Sequence, residues 1–177
     1  MHVIMSDPSY TPAPPADFVL PFDLPTLNLR GRLVRLDAVS TRGVGFQNLS
    51  EGAGRVAAES MALAALLGSA LKLEGRLSLQ AKGDGALNLL AADYFAGGGL
   101  RGYARMGEAQ DGSDFASLVG AGAFGLIIEA KPGAQAYQGM VSLEAGLAES
   151  AEAYFTQSEQ LPTMLKLTAG ARYIAGE

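Results

Sequence analysis

The chain has 177 residues, 13 basic and 18 acidic side chains, a formal net charge of −5, no cysteine and one histidine. That length suits one domain, which near 150 residues buries roughly 70% of the surface its unfolded chain exposes. The missing cysteines exclude a disulfide framework, a thiolate zinc site and a Cys nucleophile, the placement of His2 in a tail excludes Ser-His-Asp catalysis and His-rich metal sites, and net acidity argues against a duplex-binding module.

Six of the eight prolines (Pro8, Pro12, Pro14, Pro15, Pro21 and Pro25) fall in the first 25 residues. Proline fixes φ and removes a backbone donor, so this stretch is expected to form neither helix nor central strand. Residues 1–17 read as a disordered arm, after which the chain docks through Phe18, Val19, Leu20 and Phe22. No basic segment precedes an apolar one, as a secretory signal requires. The longest apolar run, Met61 to Leu71, has 11 residues, against the roughly 20 that cross a bilayer, and reads as a buried helix. The expected setting is soluble and intracellular, with no membrane partner.

Arg30 to Leu36 suits an edge strand, and the glycine-rich residues 41–54 read as loop. From about 55 to 73, Ala, Leu, Met and Glu favour helix. Val56, Ser60, Leu63, Leu67 and Leu71 share one face, yet Ala62, Leu66 and Ala70 are apolar too, so the helix is expected to be sandwiched and to end near Glu74-Gly75. Arg76 to Gln80 alternates as a strand. Gly83-Asp84-Gly85 supplies a hairpin turn through positive φ, and Ala86 to Tyr94 returns. Leu100 to Met106, Phe124 to Lys131 and Gln135 to Leu143 continue the strands, with Pro132-Gly133 a turn. From about 147 to 160 the spacing is helical, with Leu147, Ala151, Tyr154 and Phe155 inward until Pro162, and Met164 to Leu167 reads as a last strand. The expected class is α+β, a mostly antiparallel sheet packed with a buried helix and a C-terminal helix.

Two stretches fit G-x-G-x-x-G: Gly97-x-Gly99-x-x-Gly102 and Gly120-x-Gly122-x-x-Gly125. A dinucleotide fingerprint needs a helix next, so that its amides meet a pyrophosphate. Both are followed by strand-like residues and read as turns. The carboxylates Asp84, Asp93, Glu129, Glu144, Glu149, Glu152 and Glu159 contain no selected pair, and a solvated face explains Glu149 and Glu152. Arg101 and Arg105, with Tyr103 between them on one strand face, could read an anion or RNA, but pairing with nearby carboxylates makes them structural, and no nucleic-acid partner is expected.

Four segments are more specific. They are Leu71-Lys72 to Gly75 running into Gln80-x-x-Gly83-Asp84-Gly85; Leu100-Arg101-Gly102-Tyr103-Ala104-Arg105; Tyr137-Gln138-Gly139 with Leu143-Glu144; and Tyr154-Phe155-x-x-Ser158-Glu159-Gln160-Leu161-Pro162-Thr163. In this order and spacing they resemble the N-terminal domain of the redox-regulated 33-kilodalton heat shock protein family, from about Leu29 to Leu167. The resemblance implies an ATP-independent holdase chaperone, not an enzyme. Such a protein binds unfolding clients in the cytoplasm during oxidative stress, as a homodimer, with elements after Pro162 packing on the partner. It implies one chaperone core domain over residues 18–177. It also implies a C-terminal zinc module with four cysteines that unfolds on oxidation and uncovers the client surface. With no cysteine here, that sensor is expected to be absent and the chain to be a piece of a longer protein. No catalytic, cofactor or metal residue is expected in this chain, and client-binding residues stay unassigned. The family usually places a helix after the first strand, where residues 40–54 here read as loop. The reading from another class is a nucleotide-binding or small-molecule enzyme using the glycine-rich loops and carboxylates.

Overall fold

The structure is a computed structural model that describes residues 15–107 and 114–171; most of the expected N-terminal arm lies outside them. Strand β1 (Phe18–Leu24) pairs antiparallel with β2 (Leu29–Arg35) through a 3-10 turn at Pro25–Leu27. Helices α1 (Ala38–Gly45) and α2 (Glu51–Gly68) follow, then β3 (Arg76–Gly83), β4 (Leu87–Phe95) and β5 (Gly99–Met106). Helix α3 (Phe115–Val119), strands β6 (Gly122–Glu129) and β7 (Tyr137–Ser142) and helix α4 (Leu147–Tyr154) complete the set, α4 running on as a π turn at Phe155–Glu159. The five-stranded sheet has the order β5-β4-β3-β6-β7, antiparallel throughout, which is the expected α+β class.

Alternation along the strands makes the core. Leu77, Leu79 and Ala81 of β3 are buried on one sheet face beside Leu90 and Ala92 of β4 and Phe124 and Leu126 of β6. Helix α2 lies on the β3–β5 part of that face and α4 on the β6–β7 part. Buried residues ring most of α2, among them Val56, Ser60, Met61, Leu63, Ala64 and Leu67, because β2 and α1 also lie against it. The sandwiched helix is therefore found. So is the inward set of α4, with Leu147, Ala151 and Tyr154 buried and Phe155 packed against them.

Several expectations are corrected. Residues 41–54 are largely helical. Asp17, expected in the mobile arm, accepts from the Asp37 and Val39 amides at 2.7 and 3.2 Å and so caps α1 from twenty residues upstream. The Ser50 hydroxyl accepts from the Ala53 amide and starts α2 four residues earlier than expected. Helix α2 stops at Gly68, not Glu74-Gly75, because the Glu74 and Gly75 amides are taken by the Ala130 carbonyl at the sheet entrance. Leu71 consequently lies beyond the helix, 41% exposed.

The Phe18–Phe22 stretch does not dock as an arm. It pairs as β1, and Pro21 is accommodated because the hairpin has only two strands. The Gly83–Gly85 turn forms without positive φ at Asp84 or Gly85. Gly85 is needed there for closeness instead, since a Cβ would sit 2.3 Å from the Leu118 carbonyl oxygen. Met164–Leu167 is extended but joins no strand, because the Leu165 and Ala169 amides donate to the Glu152 and Glu59 carboxylates on α4 and α2. Leu165 and Leu167 pack on this chain's own core. Helix α3, capped reciprocally by Asp114 and Ser117, was not expected at all.

Candidate functional site

The β1–β2 hairpin carries the most continuous apolar exterior. Its register places Leu20 opposite Leu33, Phe22 opposite Gly31 and Leu24 opposite Leu29, all on one face because side chains alternate. These five large side chains are 41–53% exposed. The Phe22 ring covers Gly31 so closely that a Cβ there would lie 2.1 Å from it, which completes the surface where a side chain is missing. Leu27 at the turn extends the patch. At about 25 cal/mol per Å², a few hundred Å² of such contact contributes several kcal/mol before ordering costs. A contiguous patch of this kind on a domain surface marks an interaction surface.

A second apolar area lies where α1 meets the sheet margin. A groove of about 570 Å³ is lined by Val39, Phe46, Leu100 and Tyr103, with glycines, Gln47 and the arginines Arg42 and Arg101. Phe46 stands 88% exposed beside it. On the sheet face opposite the helices, Tyr103, Ala91, Gln80, Gly125 and Met140 form one cross-strand row whose ends, Tyr103 and Met140, are exposed.

Residues considered for other chemistry are dispersed. Gly97 and Gly98 take positive φ in the β4–β5 turn, and Gly120 takes it before β6. A strand follows each glycine set, so no helix N-terminus meets either. Asp84 accepts from the Ala121 amide at 2.8 Å and ties the β3–β4 turn to β6. Glu129 bridges Arg76 at 3.3 Å and accepts from the Gly133 amide at 2.7 Å, holding the β6–β7 turn. Glu144 follows β7, and Glu149 lies in the first turn of α4. Glu152 holds Leu165, and Glu159 accepts from Tyr137 at 3.0 Å and from buried Tyr154 at 3.4 Å. Burial first, then the Tyr137 hydroxyl and the Glu159 carboxylate, push the Tyr154 phenol well above its ordinary range.

Asp93 is buried on β4, opposite Arg101 of β5. Its Oδ1 accepts from the Ser78 hydroxyl and its Oδ2 from both Nε and Nη2 of Arg101, whose guanidinium also lies 5.8 Å from the Phe95 ring centre. Arg105, expected beside a carboxylate, instead donates to the Asn88 amide oxygen at 2.8 Å. Arg101, Tyr103 and Arg105 do share an exposed strand face. The donor set does not fit a thiolate zinc site: the chain has no cysteine, and among the described residues no group of three or more His, Cys, Asp or Glu side chains is placed to hold a metal. Among the described residues no helix is long and apolar enough to cross a membrane.

The hairpin surface is not legible from composition, because Leu20 and Phe22 suit a docking arm equally well. The available signal was the facing pair of alternating runs, Val19 to Leu24 and Leu29 to Val34, around Pro25.

A model of the family described as Hsp33 protein matches residues 17–176. A 33 kDa chaperonin of Caulobacter vibrioides is 39% identical over 165 residues, covering 87% of this chain and 54% of the relative. Another from Shewanella loihica is 35% identical over 151 residues, covering 84% and 52%. The chain thus spans about half the length of these curated relatives. A crystal structure of the 33 kDa chaperonin from Thermotoga maritima superposes with a TM-score of 0.75 at 23% identity, over 83% of this chain and 53% of that one, and shares the fold. The chain belongs to the Hsp33 protein family.

Proposed function

We propose that residues 18–177 form one chaperone core domain. It holds unfolding proteins through exposed apolar surface, without ATP and without making or breaking a bond. The observation that carries this reading is the β1–β2 hairpin face, where Leu20, Phe22, Leu24, Leu29 and Leu33 stand together in solvent. A holdase needs such area and no catalytic group, and a net charge of −5 keeps a sticky molecule apart from its copies at dilution. The names of the relatives as chaperonins support the same reading. Clients are half-collapsed proteins, and the expected compartment is the cytoplasm. Redox control through a cysteine-held zinc ion is proposed only for family members that carry those cysteines.

The test is light scattering from an unrelated protein unfolding in the presence of this chain, with neither nucleotide nor oxidant. Scattering is expected to fall as the ratio of chain to client rises; unchanged scattering at every ratio discards the proposal. We also propose a homodimer, expected from multi-angle light scattering at tens of micromolar. A monomer mass at that concentration contradicts it.

A further inference from the structure

At the outer edge of β5, a side chain stands where a strand would. Strand β5 is the margin of the sheet, and among the described residues no strand pairs with its outer side. Gln47, just after α1, lays its amide against that side. Its Oε1 accepts from the Ala104 amide at 2.7 Å, and its Nε2 donates to the Gly102 carbonyl at 3.2 Å. One amide that bonds the carbonyl before Tyr103 and the amide after it reproduces the bridge a parallel neighbouring strand makes around that residue. The chemistry that this edge satisfies is therefore that of an extended backbone.

Two further features bear on the same place. The groove beside the edge offers Val39, Phe46 and Leu100 to apolar side chains, and open space around Gly98 leaves the backbone accessible at its end. Helix α1, from which Gln47 hangs, is the least anchored of the long helices. It has eight residues, two of them glycine, and none is buried. Its displacement uncovers the edge together with the part of α2 on which Val39 and Val44 pack.

We propose that the outer edge of β5 is a docking edge for an extended apolar segment of an unfolding chain, added as a further strand, with Gln47 its displaceable stand-in. This rests on the chaperone reading and adds to the hairpin face a second contact, made through the backbone, by which a client is held. Backbone pairing reads no sequence, while alternate side chains take the groove, which suits a surface that accepts unrelated chains. In the absence of client the Gln47 amide also blunts an edge that would otherwise pair with another copy.

The test is fluorescence anisotropy with a labelled peptide alternating valine and threonine between terminal lysines, and with its analogue N-methylated at every central residue. Wild type and Gln47→Met are compared, and amide hydrogen exchange is followed at Ala104. The plain peptide is expected to bind Gln47→Met about five- to tenfold more tightly than wild type, since two hydrogen bonds no longer compete. The methylated analogue binds neither protein. The Ala104 amide, faster to exchange in Gln47→Met, slows when plain peptide is added. Equal binding of the methylated analogue, equal affinity of the two proteins, or an Ala104 amide that peptide leaves unprotected overturns the proposal. Suppression of client aggregation is measured on the same wild-type sample. If it persists alongside such a negative, the docking edge alone is discarded; if it is absent too, the chaperone reading falls with it.

Discussion

Single side chains join distant parts of this fold, and their removal has measurable cost. Asp17 satisfies two amides at the start of α1. Asp17→Ala is expected to lower stability by about 1–2 kcal/mol in urea unfolding, as the loss of a helix cap does; an unchanged midpoint rejects the capping role. Arg101 covers buried Asp93 while its own side chain is 65% exposed. Arg101→Ala should therefore cost about 1–2 kcal/mol, less than breaking a fully buried pair, because water screens the guanidinium. Glu59 on α2 is different in sign. Burial pushes its carboxyl above the ordinary value of 4.5; the Ala169 amide and Arg55 oppose that shift, and Glu149 from α4 adds to it. The folded state then keeps a proton that the unfolded chain releases. Its contribution to stability is fully present below about 4.5 and is lost as pH rises through the folded value. Glu59→Gln should raise the unfolding midpoint at neutral pH, the difference vanishing in acid; a midpoint lowered at neutral pH contradicts this.

Among the helices of eight residues or more, α1 has no buried residue and α2 has the most. Native-state hydrogen exchange should find α1 amides opening with a much smaller free energy than those of α2, whose buried residues ring the helix. Equal protection of the two contradicts the placement of α1 as a displaceable element. The contrast also explains what was legible in the sequence. Helix α2 declares itself by composition, and β3 to β7 by alternation between glycine turns, so those elements are found within a few residues of where they are read. Helix α1 is poor in local signal: Gly43 and Gly45 argue for loop, and the cap that overrides them comes from Asp17, across the hairpin. The Met164–Leu167 segment shows the converse. Its alternation is that of a strand, but pairing is a property of neighbours, and here side-chain carboxylates take the amides.

At the scale of the whole molecule, the sheet has one face closed by α2 and α4, while the hairpin, with β2 against α2, leaves its apolar face in water. Composition could not separate that face from the core, because Leu and Phe serve both, and only register and exposure distinguish them. The glycine-rich stretches that could have cradled a phosphate are turns and close approaches, and the carboxylates hold loops and a C-terminal ribbon. What is left exposed and concentrated is apolar area.

The most direct measurement replaces that area and nothing else. Leu20, Leu24 and Leu33 are changed together to threonine, which keeps strand propensity and removes no core contact. Light scattering of an unfolding client is then compared with wild type, alongside the thermal midpoint of each protein. Loss of most of the aggregation suppression with the midpoint little changed is the result expected. Undiminished suppression by the triple variant would contradict the assignment of the hairpin face as the surface that holds clients.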